Sequence, residues 1–262
     1  GGVGFAADDG VHGFEPWYSD GSEAGTVLAR DVNPDGNGIP ATGSASFAAL
    51  VSLNGRLLFG ADDGDGSQVW ASDGSAAGTQ RVSEIPVTTR NAFGGDGNAS
   101  SASYVARAVL DGFLYFPADD GVHGTELWKS DGTAAGTSLV AELTPGPNDS
   151  SIRRIVPTGA KIAVLENGGW DYAVGNHEPD RVFVVDGAGD PPALVAEGDY
   201  VDILDVGGVL FVIERTGKIL RSDGTAAGTT VVDDAAWDHG WSTDHAVVDR
   251  KSTRLNSSHA NI

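Results

Sequence analysis

The sequence predicts an all-β fold, a β-propeller built of four-stranded antiparallel blades, on three observations. A turn motif recurs at intervals of about fifty residues, each interval holds four short apolar runs, and no stretch sustains a helical period.

The motif is anchored on an Asp-Gly pair at Asp20, Asp73, Asp131 and Asp223. Each Asp is followed six residues later by Thr26, Thr79, Thr137 or Thr229, and preceded three residues earlier by Trp17, Trp70, Trp128 or Leu220. An eroded copy places Phe183 before Asp186 and lacks the closing Gly-Thr. Chance recurrence in a Gly- and Asp-rich chain fails as an explanation, because upstream text recurs too. ADDGVHG stands at Ala7–Gly13 and again at Ala118–Gly124, and ADDGDG begins at Ala61.

Within a unit the runs are rich in Val, Leu, Phe and Tyr and bounded by Gly, Asp and Asn, which is strand chemistry. Asn54-Gly55 and Asp111-Gly112 each stand between two runs and signal tight hairpins. Successive four-stranded meanders read as propeller blades, an architecture that leaves few sheet edges exposed. The rival, a stacked β-solenoid, uses shorter coils. In the motif itself, the Asp side chain can cap its own turn, and Gly supplies a positive φ. The Trp is expected to wedge between neighbouring blades, and the Thr to start the outer strand. About five blades are expected over residues 1–248. Their boundaries fall near Ser46, Ser103, Ser151 and Tyr200, and a last strand, Trp241–Val248, could close beside Phe5–Asp8.

The third unit, ELWKSDGTAAGT, resembles the ELWxxDGT repeat of large secreted or surface-attached bacterial proteins. The first (FEPWYSDGSEAGT) and second (QVWASDGSAAGT) match well, the fifth (KILRSDGTAAGT) in part and the fourth weakly. The resemblance implies an extracellular, propeller-like array at the bacterial surface and carries no catalytic residue with it. Glu126 has no acidic equivalent in the second unit, where Gln68 stands, which argues against a shared catalytic role. The final DRKSTRLNSSHANI, Asp249–Ile262, resembles a translated sequencing adapter and is expected to be an unstructured tail outside the fold. The abrupt start, in mid-blade, leads us to expect a fragment of a longer protein.

A net charge of −21 argues against nucleic acid, whose phosphates need Lys and Arg stripes. It also argues against anionic membrane surfaces, and no apolar run is long enough for membrane insertion. The charge suits solubility and cation attraction. With no Cys there are no disulfides and no thiolate metal sites. No GxSxG, HExxH, P-loop or dinucleotide fingerprint is present.

Candidate sites are few. The carboxylates of Asp8, Asp9, Asp62, Asp63, Asp65, Asp119 and Asp120 lie in loops between second and third strands. They are candidate calcium ligands, with solvated hairpin turns as the alternative, and the EF-hand spacing is absent. His12 and His123 occupy equivalent positions in these loops. The longest insertion within a blade, Asn167–Asp180, carries Trp170, Asp171, His177, Glu178 and Asp180, the candidate ligand-facing cluster. Trp237, Asp238, His239 and Trp241 form a second cluster. The chain therefore reads as a non-enzymatic module for adhesion, matrix or ligand binding, facing an extracellular polysaccharide or protein. The alternative is a carbohydrate-active propeller enzyme, a glycoside hydrolase or lyase, with an acid–base pair drawn from different blades.

Overall fold

The structure, a computed structural model, describes residues 1–39, 50–82, 85, 106–171, 176–187 and 190–233, and among them it is all strand and turn. The boundaries near Ser46 and Ser103, the second cluster at Trp237–Trp241, the strand expected at Trp241–Val248 and the tail lie outside the described residues.

The strands form a series of antiparallel meanders. The first sheet holds β1 (Val3–Asp8), β2 (Phe14–Ser19) and β3 (Thr26–Leu28). The second holds β4 (Val51–Leu53), β5 (Arg56–Asp62), β6 (Ser67–Ser72) and β7 (Gln80–Arg81). The third holds β8 (Ala108–Leu110), β9 (Phe113–Asp119), β10 (Thr125–Ser130) and β11 (Ser138–Ala141). In the fourth, β12 (Ile152–Thr158), β13 (Lys161–Glu166), β16 (Asp180–Val185) and β17 (Ala193–Gly198) pair in that order. A small hairpin, β14 (Trp170–Asp171) with β15 (Asn176–His177), interrupts it. The fifth holds β18 (Tyr200–Val206), β19 (Val209–Glu214), β20 (Ile219–Ser222) and β21 (Thr230–Asp233). Four four-stranded sheets and one three-stranded sheet, each a simple meander, are propeller blades in series.

The hairpins explain themselves locally. Asn54 and Gly55 have φ of 50° and 77°, and Asp111 and Gly112 have 50° and 78°. Two successive left-handed residues make the turn whose twist matches that of the flanking strands.

The cores lie between sheets. Trp70, Phe59 and Ala61 of the second sheet pack on Ala6, Val32 and Ile39. Phe116 and Ala118 of the third pack on Leu58, Val69 and Ala71 of the second. Val164 and Phe183 of the fourth meet Tyr115 and Leu127, and Val212 and Leu220 of the fifth meet Ala163 and Val182. From the second blade on, each blade thus turns its motif aromatic, or the Leu that replaces it, toward the blade before it. Trp70 is buried at 4% exposure, while Trp17 and Trp128 are half-buried. All three indole N–H groups are shielded from solvent without an acceptor among the described residues, so these rings serve as apolar bulk.

The motif turn repeats atom for atom. In the third blade, Asp131 Oδ1 accepts from Thr133 N (2.8 Å) and Thr133 Oγ1 (2.7 Å). Thr133 Oγ1 accepts from Gly136 N at 3.0 Å. Thr137 Oγ1 donates to Thr133 O at 2.7 Å, which leaves the Ser130 hydroxyl to donate to Thr137 Oγ1, also at 2.7 Å. Ser130 Oγ then accepts from Gly132 N at 3.1 Å. The same bonds link Ser19, Asp20, Ser22 and Thr26. They recur through Ser72, Asp73, Ser75 and Thr79, and through Ser222, Asp223, Thr225 and Thr229. A Cβ on Gly25, Gly78, Gly136 or Gly228 would stand 2.0–2.1 Å from the turn Asp Oδ1, so only Gly fits there. The hydroxyl bonds hold Asp20, Asp73 and Asp223 below the usual carboxylate range.

The turns also tie blades together. Arg56 Nη1 donates to Gly132 O (3.5 Å), Asn54 Nδ2 to Gly112 O (3.0 Å) and Lys129 Nζ to Gly187 O (3.0 Å). Thr137→Val keeps the shape and removes two hydroxyl bonds. It is expected to cost about 1–3 kcal/mol in urea unfolding. No measurable change would show that the turn holds without its hydroxyls.

Candidate functional site

Antiparallel pairing places the start of each innermost strand, the end of the second strand and the loop to the third at one end of the blades. In the fourth blade Ile152 pairs with Glu166, and Asn167 N donates to Ser151 O at 2.9 Å, so the insertion leaves the sheet beside the start of β12. Its root is firmly held. A Cβ on Gly168 would lie 2.1–2.4 Å from the backbone of Glu178 and Pro179, Gly169 has φ 73°, and Glu178 N donates to Gly169 O at 3.1 Å. Above the root, the hairpin sets Trp170 opposite His177 and Asp171 opposite Asn176.

The structure divides the predicted cluster. Trp170, Asp171 and His177 lie in the hairpin, and Glu178 is exposed at its base. Asp180 is 1% exposed, and its carboxylate accepts from Gly168 N (3.1 Å) and Tyr200 N (2.9 Å) with Arg153 Nη2 at 3.7 Å. Asp180 therefore pins the insertion and the start of the fifth blade to each other. It supports the loop from below.

A parallel device sits in the first and third blades, at Glu15, which sequence reasoning passed over, and at Glu126, for which it named no structural role. Glu15 accepts from Val32 N (2.8 Å), Asn33 N (3.3 Å) and Gly38 N (2.7 Å). Glu126 accepts from Leu143 N (2.6 Å), Thr144 N (3.2 Å) and the Ser150 hydroxyl (2.9–3.0 Å). Each buried carboxylate clasps the chain that crosses to the next blade. Gln68 takes the position in the second blade, where its amide donates to Ile85 O. Burial pushes Glu15 up, and pushes Glu126 up to about 7 against the pull of its donors. The Glu, Gln, Glu pattern at equivalent positions was the available signal.

The Asp-rich loops turn their carboxylates on their own backbone. Asp8 Oδ1 accepts from Gly10 N (2.7 Å), and Asp9 Oδ1 from Val11 N and His12 N (both 2.9 Å), while Asp9 Oδ2 meets His12 Nδ1 at 2.7 Å. Asp119, Asp120 and His123 reproduce this loop with the same distances. In the second blade Asp62 Oδ1 accepts from Gly64 N and Gly66 N, Asp63 Oδ1 from Asp65 N, and Asp63 Oδ2 meets Arg81 at 3.3 Å. The His12 backbone N–H holds Asp9 down at about 2, and the Asp9 bond raises His12. For Asp120, burial pushes upward but the His123 bonds win, and Asp120 in turn raises His123.

Among the described residues no three His, Asp or Glu side chains gather so as to hold a metal ion. Calcium at millimolar concentration is expected to shift the melting midpoint no more than sodium chloride of equal ionic strength. A calcium-specific rise that Asp119→Asn and Asp120→Asn abolish would overturn this and make the loops ion sites.

No helix among the described residues is long and apolar enough to cross a membrane. No family model matches the sequence, and no curated protein matches it. Solved structures do. The chain is similar to the computationally designed Ika8 protein (15% identity, TM-score 0.44), covering 88% of this chain and 57% of that one. BamB from Moraxella catarrhalis follows at 16% identity and TM-score 0.40, covering 83% and 57%. A prolyl endopeptidase aligns at 10% identity and TM-score 0.39, covering 87% and 32%. The chain thus spans little more than half the length of the first two proteins and a third of the last.

Proposed function

We propose that the chain is a non-enzymatic repeat module of a larger bacterial surface or secreted protein, of the ELWxxDGT kind. In this reading it acts in adhesion or matrix binding, and the Asn167–Asp180 insertion faces the ligand. One observation carries the proposal: the repeated polar groups and the insertion are put to different uses. In four blades alike the motif Ser, Asp and Thr are consumed by their own turn, and Glu15, Gln68 and Glu126 by the backbone that leaves the blade. What repeats is scaffold. The insertion instead departs from the repeat on a root held by Gly168 and Asp180, and a rigid base under a variable loop suits recognition.

The test is binding of the labelled chain to immobilised acidic and neutral exopolysaccharides and matrix proteins. A variant in which 169–178 is replaced by a short Asp-Gly turn serves as the comparison. Binding that the short-loop variant loses supports the proposal. Binding that survives the replacement, or no binding to any surface, overturns it, and release of shortened polysaccharide would identify an enzyme.

A further inference from the structure

Two residues before the motif aromatic, or the Leu that replaces it, stand Glu15, Gln68, Glu126, Arg181 and Lys218 in successive blades. An acid thus holds the position in the first and third. The same two blades carry a His, His12 or His123, in the Asp-rich loop just before it, and the loop of the second blade has none. In the third blade both groups fasten one stretch of chain, residues 142–151, which crosses to the fourth blade. His123 stands between two carboxylates, with Asp120 Oδ2 2.7 Å from Nδ1 and Glu142 Oε1 3.3 Å from Nε2. A neutral imidazole has one N–H and would turn a lone pair on one of the two, so the arrangement calls for the doubly protonated ring. Glu126 takes the next two N–H groups, of Leu143 and Thr144, and the Ser150 hydroxyl. The Thr144 hydroxyl donates to Glu166 Oε1 and accepts from Arg181 Nη2, both at 2.9 Å, and Arg181 pairs with Glu166 at 2.7 Å. Toward the far end, Asp149 accepts from the N–H and hydroxyl of Thr125, and Ser151 O accepts from the N–H of Asn167, where the insertion begins.

We infer that residues 142–151 are a pH-operated fastening for the root of the insertion, held shut by His123 and Glu126 in mild acid and released as the pH rises through neutrality. In mild acid the protonated His123 and Arg181 face the carboxylates of Asp120, Glu142 and Glu166, with Glu126 neutral among them. Above neutrality His123 is uncharged, and Arg181 faces those three and an ionised Glu126. Both titrations act in the same sense. Burial pushes Glu126 up to about 7, so the shut form keeps a proton that the open form, near 4.5, gives up as pH rises. The Asp120 bond raises His123, so its hold is complete below the ordinary histidine range and fades as the pH passes the raised value. The second blade lacks the device. Gln68 stands in the place of Glu126 and has no proton to lose, and Asp63 draws its cation from Arg81, a guanidinium that keeps its charge. The root opens or closes in this way whatever the insertion binds.

Hydrogen exchange of the full chain, followed by NMR and corrected for the intrinsic rate, reads the fastening directly. The amides of Leu143, Thr144, Ser150 and Asn167 are expected to open more as pH rises, by more than about tenfold between about pH 5 and about pH 8. Amides of β19 and β20, in the fifth blade, are expected to stay level. Glu126→Gln combined with His123→Gln removes both titrations, leaves hydrogen-bonding side chains, and is expected to flatten the response. Each substitution alone, which serves if the pair does not fold, is expected to leave only part of it. Protection of residues 142–151 that does not change with pH would overturn the inference. So would a rise that the double variant keeps, or one that β19 and β20 share equally.

Discussion

Trp70→Ala is expected to lower the free energy of unfolding by about 3–5 kcal/mol, the range for deleting a large buried aromatic side chain. Trp70 is 4% exposed and fills the layer between the first two blades, against Ala6, Val32, Ile39 and Phe59. Arg30 also stands over its ring, 5.5 Å from the centroid, so the substitution strips a cation of its aromatic partner. Trp70→Phe is expected to cost far less, about 1.5 kcal/mol or below, because the buried indole N–H has no acceptor to lose among the described residues. The fourth blade, with Phe183 at this position, already works that way. Urea unfolding monitored by circular dichroism measures both. A loss under about 1 kcal/mol for the alanine variant would show that the layer does not depend on the ring.

The second large effect is on the pH dependence of stability. Burial pushes Glu126 up to about 7, while in the unfolded chain a Glu titrates near its ordinary value of 4.5. Below the unfolded value both states hold the proton and the group is neutral to folding. Between the two values the unfolded chain releases the proton and the folded chain keeps it, so stability falls as pH rises. The slope approaches about 1.4 kcal/mol per pH unit and flattens above the folded value. Glu126→Gln removes the titration and keeps a hydrogen-bonding side chain of the kind Gln68 provides in the second blade. The difference in stability between wild type and variant is therefore expected to change by about 3 kcal/mol between about pH 4.5 and about pH 7. The comparison cancels the His12–Asp9 pair, whereas His123 keeps its bond to Asp120 but loses the smaller upward push of Glu126. His12 and His123 have raised values, so their contribution is complete below the ordinary histidine range and fades as pH rises through the folded value. Asp9, at about 2, contributes above the ordinary carboxylate range and fades only in acid. A difference that stays constant across that window would mean Glu126 is ionised in the folded chain throughout.

The fold was legible because its signals are local. Asn54-Gly55 and Asp111-Gly112 name their turns, and short apolar runs bounded by Gly, Asp and Asn name the strands. The motif was legible only in part. Asp20, Asp73, Asp131 and Asp223 stood out, but Ser19, Ser72, Ser130 and Ser222 did not, since a hydroxyl's partner depends on geometry seven residues away. Asp180 showed the limit more sharply. In sequence it is one more carboxylate in a polar insertion, and its burial depends on Tyr200, twenty residues further on, arriving above it. The clasp made by Glu126 was out of reach for the same reason, its donors being supplied by the crossing chain.

The sharing of each apolar core between two consecutive blades has a thermodynamic consequence. A blade has no interior of its own, so its stability is largely borrowed from its neighbours, as in linear arrays whose energy is a sum of nearest-neighbour couplings. Among the described residues the second, third and fourth blades each take part in two such couplings. A substitution that loosens one core should therefore speed amide exchange in both blades that share it, as Phe116→Ala would in the second and third.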